Sequence, residues 1–312
     1  MTIGGAIRLL LYSPKSFLES VMRIPIIAKM IPDRAFISIV YRLRHKHRIN
    51  LNNPQSFNEK LLWLSLYDRR PVYTRMVDKY EAKIWMIKSL KSEEKDISCI
   101  IPTYGIYNHY DEINFDKLPE SFVMKTTHDS GGVAVVYDKT HLDHASAKKK
   151  LEKSLTRNYF WYTREWPYKD VKPRIIIEKK LETIEKSPID YKIYCFNGVA
   201  KYLYLVQDRD VGETVDYYDM NWNHLPIKQV YPNNSKRPQK PECWSELVEC
   251  AEFLSKGIPF LRVDFYVDKD GHYYIGELTF TPSSGLSPLT PAEWDYKFGE
   301  LLVLPEKQNS IV

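Results

Sequence analysis

Long apolar runs are missing from this 312-residue chain. Its most apolar patches, IRLLLY, IPIIAKMI and AFISIVY, all lie in the first fifty residues and are interrupted by Pro14, Lys15, Glu19, Arg23 and Pro25. None reaches the roughly 18 residues that a membrane-spanning helix needs. The short run after Arg8 is followed by no small-residue cleavage site, so a secretory leader is not expected. Cysteine is scarce as well. Cys99, Cys195, Cys243 and Cys250 form no CxxC pair and no zinc-type spacing with histidine, which points to reduced thiols in a cytoplasmic protein. The HLDH at His141 to His144 adjoins the basic AKKKLEKSL and reads as the start of a solvated helix rather than a metal site. A large excess of one charge is also lacking: the net charge is +5, too mild to demand a nucleic-acid partner. There is no internal repeat, no low-complexity segment and no Walker loop GxxxxGK[ST].

What remains is an ordinary globular composition, 44% hydrophobic and 27% charged, with 23 tyrosines that suit amphipathic strands or polar ring-shaped ligands. Residues 1–50 form a helical, basic and apolar N-terminal segment ending in YRLRHKHRIN. Its apolar faces beside Arg42, Arg44, Lys46 and Arg48 would suit peripheral contact with an anionic leaflet, and packing on the body of the protein is the preferred reading. Ser56 and Glu59 make a capping box ahead of KLLWLSL and predict a helix start. A second helix is expected over residues 72–90, strand and loop from Cys99 to Leu118, and a strand, loop and strand from Phe122 to Tyr137. A basic helix follows near 142–156, and then the aromatic NYFWYTREWPY, which the pattern does not assign. RIIIEKKL reads as a strand, DYKIYCFNG with AKYLYLVQD as a hairpin turned by Asn197 and Gly198, and SELVECAEFLSKG as a helix stopped by Gly257.

Three constellations carry chemistry. In FLRVDFYVDKDGHYYIGELTF the turn DKDG joins two strands; pairing Val267 with His272 would set Arg262 opposite Glu277, with Asp264 diagonal to it. Two carboxylates on one face suit a hard cation such as magnesium, and a cross-strand salt bridge is the plainer alternative. In MKTTHDSGG, a strand-borne Lys125 precedes a loop whose backbone N–H groups and Ser130 can meet phosphate; a glycine hairpin turn reads the same way. In RIIIEKKL, Glu178 at the strand end could accept from an adenine amino group.

Taken in order, these motifs resemble the ATP-grasp superfamily of carboxylate–amine ligases. The segments FNEKLLWLSLYDR, LPESFVMKTTH, DYKIYCFNG, RVDFY, GELTF and PAEWDYKFGELLVLP resemble its TupA-like branch, associated with teichuronopeptide and other bacterial surface polysaccharides, over roughly residues 50 to 305. The resemblance implies an α+β fold of two lobes gripping ATP. Residues 51–118 would form an N-terminal subdomain, 119–177 the lobe with the phosphate loop, and 178–312 the lobe with the metal-binding strands. It implies ATP and magnesium, the metal on Asp264, Glu277 and Thr279, and Arg262, Lys125 and Lys192 acting on phosphate and oxyanion charge. Lys79, Lys125, His128, Ser130, Gly131 and Gly132 would cover the phosphates, Glu178, Lys179 and Leu181 the adenine, and Asp190 the ribose. Thr279 stands where the superfamily has asparagine, and Asp129 puts a negative charge inside the phosphate loop.

The activity so implied is ATP-dependent amide formation through an acyl phosphate. An amino acid or small amine would be joined to a uronic acid carboxylate of a surface glycan or its precursor, in the cytoplasm or at the inner face of its membrane. A glycosyltransferase of the same pathway, a kinase that stops at phosphoryl transfer, and a non-catalytic nucleotide-binding subunit are the rival readings.

Overall fold

The computed structural model describes residues 13–185 and 187–306; the apolar patch IRLLLY and Arg8 lie outside the described residues. The described residues begin with three helices, α1 (Pro14–Met22), α2 (Pro25–Met30) and α3 (Asp33–His45). The first two open on proline, whose fixed φ and missing N–H suit a first helical turn. The inner faces of α1 and α3 bury Met22, Phe36, Ile37, Val40 and Tyr41 against Leu62 and Leu286, so the segment packs on the body of the protein.

Helix α4 (Phe57–Tyr67) starts at the expected capping box: the Glu59 N–H donates to Ser56 Oγ and the Ser56 N–H to Glu59 Oε2, each at 3.3 Å. The single helix expected over 72–90 is instead two, α5 (Pro71–Val77) and α6 (Glu81–Ser92). The Asp78 carboxylate accepts from the N–H groups of Tyr80 and Glu81 and so starts the second helix. The Lys79 N–H meanwhile leaves the helical ladder for the Thr127 carbonyl. An acceptor side chain competing for backbone donors is what breaks the run.

A four-stranded antiparallel sheet follows, with β1 (Thr103–Tyr107), β2 (Phe122–Thr126), β3 (Val133–Val136) and β4 (Ile175–Lys179) in the order β1-β4-β2-β3. Its strands come from residues on both sides of position 119. Helix α7 (His144–Leu155) covers it, burying Leu151 against Phe122, Met124, Ile175 and Ile177. The unassigned aromatic stretch contains the single helical turn α8 (Phe160–Thr163).

The second sheet has six antiparallel strands: β5 (Asp190–Phe196), β6 (Val199–Gln207), β7 (Thr214–Asp219), β8 (His224–Leu225), β9 (Phe260–Val267) and β10 (Tyr273–Thr279), ordered β10-β9-β5-β6-β7-β8. Asn197 and Gly198, at φ 50° and 84°, turn β5 into β6 as the Asn-Gly pair predicts. Ile193, Leu203, Val263 and Phe265 on one face pack on α5, α6 and helix α9 (Trp244–Ser255). On the other face Tyr194 and Phe260 pack on α4 and helix α10 (Glu293–Leu301) through Phe57 and Phe298. Strand alternation puts Lys192, Arg262 and Asp264 on that second face, beyond its aromatic end.

The register of β9 and β10 differs from the expectation. Val267 pairs with Tyr273, not His272, and a bulge at Gly276 adds one more residue, so Glu277 lies directly opposite Asp264 and Thr279 opposite Arg262. A side chain at Gly276 would put its Cβ 2.6 Å from Tyr266 Cε2, so glycine suits the close approach at the bulge.

Candidate active site

Three strands align the ionic face of the six-stranded sheet. Lys192 on β5 pairs across to Asp264 on β9, and Asp264 to Glu277 on β10. The Arg262 guanidinium grips Asp264 with two bonds, Nε to Oδ1 at 2.6 Å and a terminal nitrogen to Oδ2 at 2.8 Å, and also donates to Thr279 Oγ1 at 2.9 Å. Lys192 Nζ contacts Asp264 closely and Asp190 at 3.2 Å. Arg209, reaching in from the loop after β6, closes on Asp190. The side chains of Asp190 and Asp264 are almost wholly buried. Burial alone would raise the Asp264 carboxyl, but the charges of Arg262 and Lys192 overcome it and hold it below the usual range. Buried ion clusters contribute little net stability, so one this large is better explained by what it binds.

A hard cation suits the donor set in part. Glu277 has one oxygen taken, by the Tyr168 hydroxyl at 3.3 Å, and Asp264 beside it offers oxygens now held by two cationic side chains. Magnesium typically takes one or two carboxylates and completes its shell with phosphates and water, which these two residues match. Thr279 is different: its hydroxyl accepts from Arg262, so its place in the site is as a support for the guanidinium.

The four-stranded sheet carries an ion cluster of its own at the end of β4. Glu178 lies between Lys83 on α6, at 2.5 Å, and Lys125 on β2, at 2.7 Å. Burial opposes its ionisation, yet the two ammonium groups bring the carboxyl down to about 2. Both oxygens therefore face lysines. Lys83 Nζ is saturated, because it also donates to the Ile101 carbonyl and to Thr103 Oγ1. Among the described residues Lys125 has Glu178 alone, and it is 17% exposed, so it is the lysine with donors to offer a phosphate.

The loop between β2 and β3 holds its aspartate inward. Asp129 is buried and accepts from the hydroxyls of Thr126 and Ser154, which removes its charge from the loop's outer surface and makes it a brace. Lys79 Nζ donates to the Asp129 carbonyl at 2.6 Å, and His128 Nε2 meets the Arg157 carbonyl at 3.0 Å. Both of these side chains thus hold the loop in place. Gly132 is required by this packing, since a Cβ there would lie 1.9 Å from Thr126 Oγ1. Gly131 sits at φ 99° with open space around it.

A third wall comes from the aromatic stretch. Glu165 is buried and its carboxylate accepts from Ser284 Oγ at 3.0 Å; burial pushes it up to about 8, with Glu277 adding repulsion and Arg262 opposing. Tyr159 lies within electrostatic reach of Glu165, of Glu277 and of Asp129 in the loop, so the two sheets and this wall meet around it. Ser283 and Ser284 both hold left-handed φ values, 51° and 56°, a strain that clusters at sites where ligands are gripped.

Sequence reasoning missed Lys83, Glu165, Tyr168 and Arg209. Lys83 had a signal: it lies in the same VDKYEAK segment as Lys79, and the helix break at Asp78 is what turns Lys83 rather than Lys79 toward Glu178. The other three sit in loops or short turns with no periodicity to read.

Each of the two antiparallel sheets thus carries a buried cluster of lysine and carboxylate. The family model for TupA-like ATP-grasp proteins matches residues 59–303, and the chain belongs to that family. Similar solved structures include D-alanine–D-alanine ligase from Bacillus anthracis complexed with ATP, 17% identical over 80% of this chain and 68% of that one, with a TM-score of 0.40. Biotin carboxylase from Campylobacter jejuni is 14% identical over 87% of this chain and 54% of that one, with a TM-score of 0.44. An ADP complex of N5-carboxyaminoimidazole ribonucleotide synthetase is 15% identical over 78% and 52%, with a TM-score of 0.40. The chain spans little more than half the length of the last two. No curated protein matches it significantly.

Proposed function

We propose that the protein is an ATP-dependent carboxylate–amine ligase that joins an amino acid or small amine to a uronic acid carboxylate of a bacterial surface glycan or its precursor, on the cytoplasmic side. The observation that carries this reading is the row Lys192, Asp264 and Glu277 with Arg262 on one sheet, together with the Lys125 and Glu178 pair on the other.

In this reading the acceptor carboxylate attacks the γ-phosphate of ATP, giving an acyl phosphate and ADP. The amine nitrogen then attacks the acyl carbon, phosphate leaves, and an amide remains once the nitrogen has lost its proton. Lys125 and Lys192 place point charges on the phosphates, with Ser130, Gly131 and Gly132 covering them through backbone N–H groups. Arg262, oriented by Asp264 and Thr279, lies where charge develops on the transferring group and on the tetrahedral carbon's oxygen. Glu277 and Asp264 would hold magnesium, which supplies neutralisation of the phosphate charge when bound. With both oxygens of Glu178 committed to lysines, the adenine edge is left to the main chain from Lys179 to Leu181. Asp190, held by Lys192 and Arg209, is the acceptor nearest the ribose role. Exclusion of water matters because it would hydrolyse the acyl phosphate.

The test is ADP release by the purified protein with a panel of uronic acids and amines, each alone and together. The ligase reading expects release that needs both, and a product equal to their sum less one water. ADP released with the carboxylate alone and a stable phosphorylated product would make it a kinase. Turnover of a nucleotide sugar without ATP would make it a glycosyltransferase.

A further inference from the structure

The positive charge of this chain is concentrated where its chemistry is not. Residues 13–48 hold eight lysines and arginines against two acids, a net of +6, while the whole chain carries +5. Outside this segment the protein is neutral to slightly acidic. Both of the segment's acids face inward: Glu19 pairs with Arg23 and Arg44, and Asp33 with Arg69 and Arg164. Lys15, Lys29, Arg42 and Lys46 are exposed and meet no carboxylate among the described residues.

Exposed aliphatic side chains accompany these cations at helical spacing. On α2, Ile26 and Met30 are 75% and 78% exposed, one turn apart, with Lys29 between them. On α1, Leu18 lies three residues after Lys15, and on α3, Ile39 lies three residues before Arg42. Leu18 and Ile39 are 43% and 41% exposed. Three successive helices therefore turn an aliphatic residue and a cation outward together. That pairing fits a surface where acyl chains lie beneath anionic headgroups.

The segment is also anchored to the site. Arg164, buried and in a left-handed conformation, donates to the carbonyls of Ala28 and Ile31 at the end of α2. Its guanidinium stacks over Phe36 at 4.5 Å and Trp161 at 4.9 Å. The next residue is Glu165. Leu286, one residue past the strained Ser283–Gly285 turn, is buried among the α3 side chains.

We propose that the outer face of α1, α2 and α3 docks on an anionic lipid bilayer and ties the catalytic cleft to that surface. The docking stands apart from the ligase reading; it leans on that reading only for the consequence that the carboxylate acceptor is carried on a membrane lipid.

Co-sedimentation of the full chain with lipid vesicles tests it without ATP turnover. Vesicles rich in phosphatidylglycerol should bind the protein, pure phosphatidylcholine vesicles should not, and added salt should release it. Ile26→Glu with Met30→Glu should weaken binding at least about tenfold by removing the buried apolar area. Lys15→Gln, Lys29→Gln and Arg42→Gln together should weaken it about a hundredfold, at about fivefold for each cation. Both variants should melt at the wild-type temperature, because the changed side chains are exposed. Equal binding to the two lipids, or variants that bind as tightly as wild type, would overturn the proposal. So would an Ile26→Glu/Met30→Glu protein that loses self-association, marking the face as a contact between copies. A drop in its melting temperature would also overturn it, by showing that the face is covered in the folded protein.

Discussion

Replacing Glu178 with glutamine probes the join between the two lobes. The substitution keeps the shape of the side chain and removes the charge that Lys83 and Lys125 share. The carboxyl falls from an ordinary 4.5 to about 2 in the folded protein, a preference for the ionised native state worth about 3 kcal/mol at neutral pH. Because the folded value lies below the unfolded one, this stabilisation is complete above about pH 5 and is lost as the pH falls toward about 2. The variant also leaves Lys83, buried under α6, without its counter-ion, and breaking a buried pair in this way costs about 3–5 kcal/mol. Glu178→Gln should therefore melt at neutral pH about 6–20 °C below wild type, at about 2–4 °C for each kcal/mol. The gap should narrow steadily as the pH is lowered through the same window. Circular dichroism melts across that range make the measurement. A variant that melts within about 2 °C of wild type at neutral pH, or a gap that does not change with acid, would refute the reasoning.

Glu165 carries the opposite dependence: with its carboxyl raised from 4.5 to about 8, stability falls as the pH rises between those values, and Glu165→Gln should gain up to about 4–5 kcal/mol over wild type at alkaline pH and nothing at acid pH. Melts that run parallel for the two proteins would rule this out. Asp264→Asn with Glu277→Gln should abolish ADP release, since Asp264 holds Arg262 and Lys192 in place and the two residues supply the carboxylates for a cation; turnover at the wild-type rate would dismiss the metal assignment. Gly132→Ala should destabilise the loop by about 1–3 kcal/mol and weaken nucleotide binding, because the added methyl meets Thr126 and Ser154. Nucleotide affinity unchanged by calorimetry would show that the loop does not cover the phosphates.

Much of the architecture is local in origin and could be read along the chain. The Ser56 and Glu59 box, the Asn197-Gly198 turn, the Gly257 stop and the alternation of β5 and β9 each depend on residues a few positions apart. The same alternation placed Arg262 and Asp264 on one face before any partner strand was known. Family resemblance then ordered the motifs, and the match over residues 59–303 agrees with it.

The pairings among those charges were decided only in three dimensions. A turn one residue longer than expected and the extra residue at Gly276 together move Glu277 from Arg262 to Asp264, and no local pattern in β10 announces a bulge that the packing of Tyr266 accommodates. Asp78 splits a helix that periodicity would have continued, and so brings Lys83 to Glu178, 95 residues further along the chain. Asp129 turns inward because Thr126 and Ser154 offer hydroxyls there, and Glu165 meets the hydroxyl of Ser284, 119 residues further along the chain. By itself the sequence determined which segments are helix and strand and which residue types could reach a nucleotide. Tertiary structure decided which charges meet, since a buried ion finds its partner across the fold and a register shift of one residue is enough to change it.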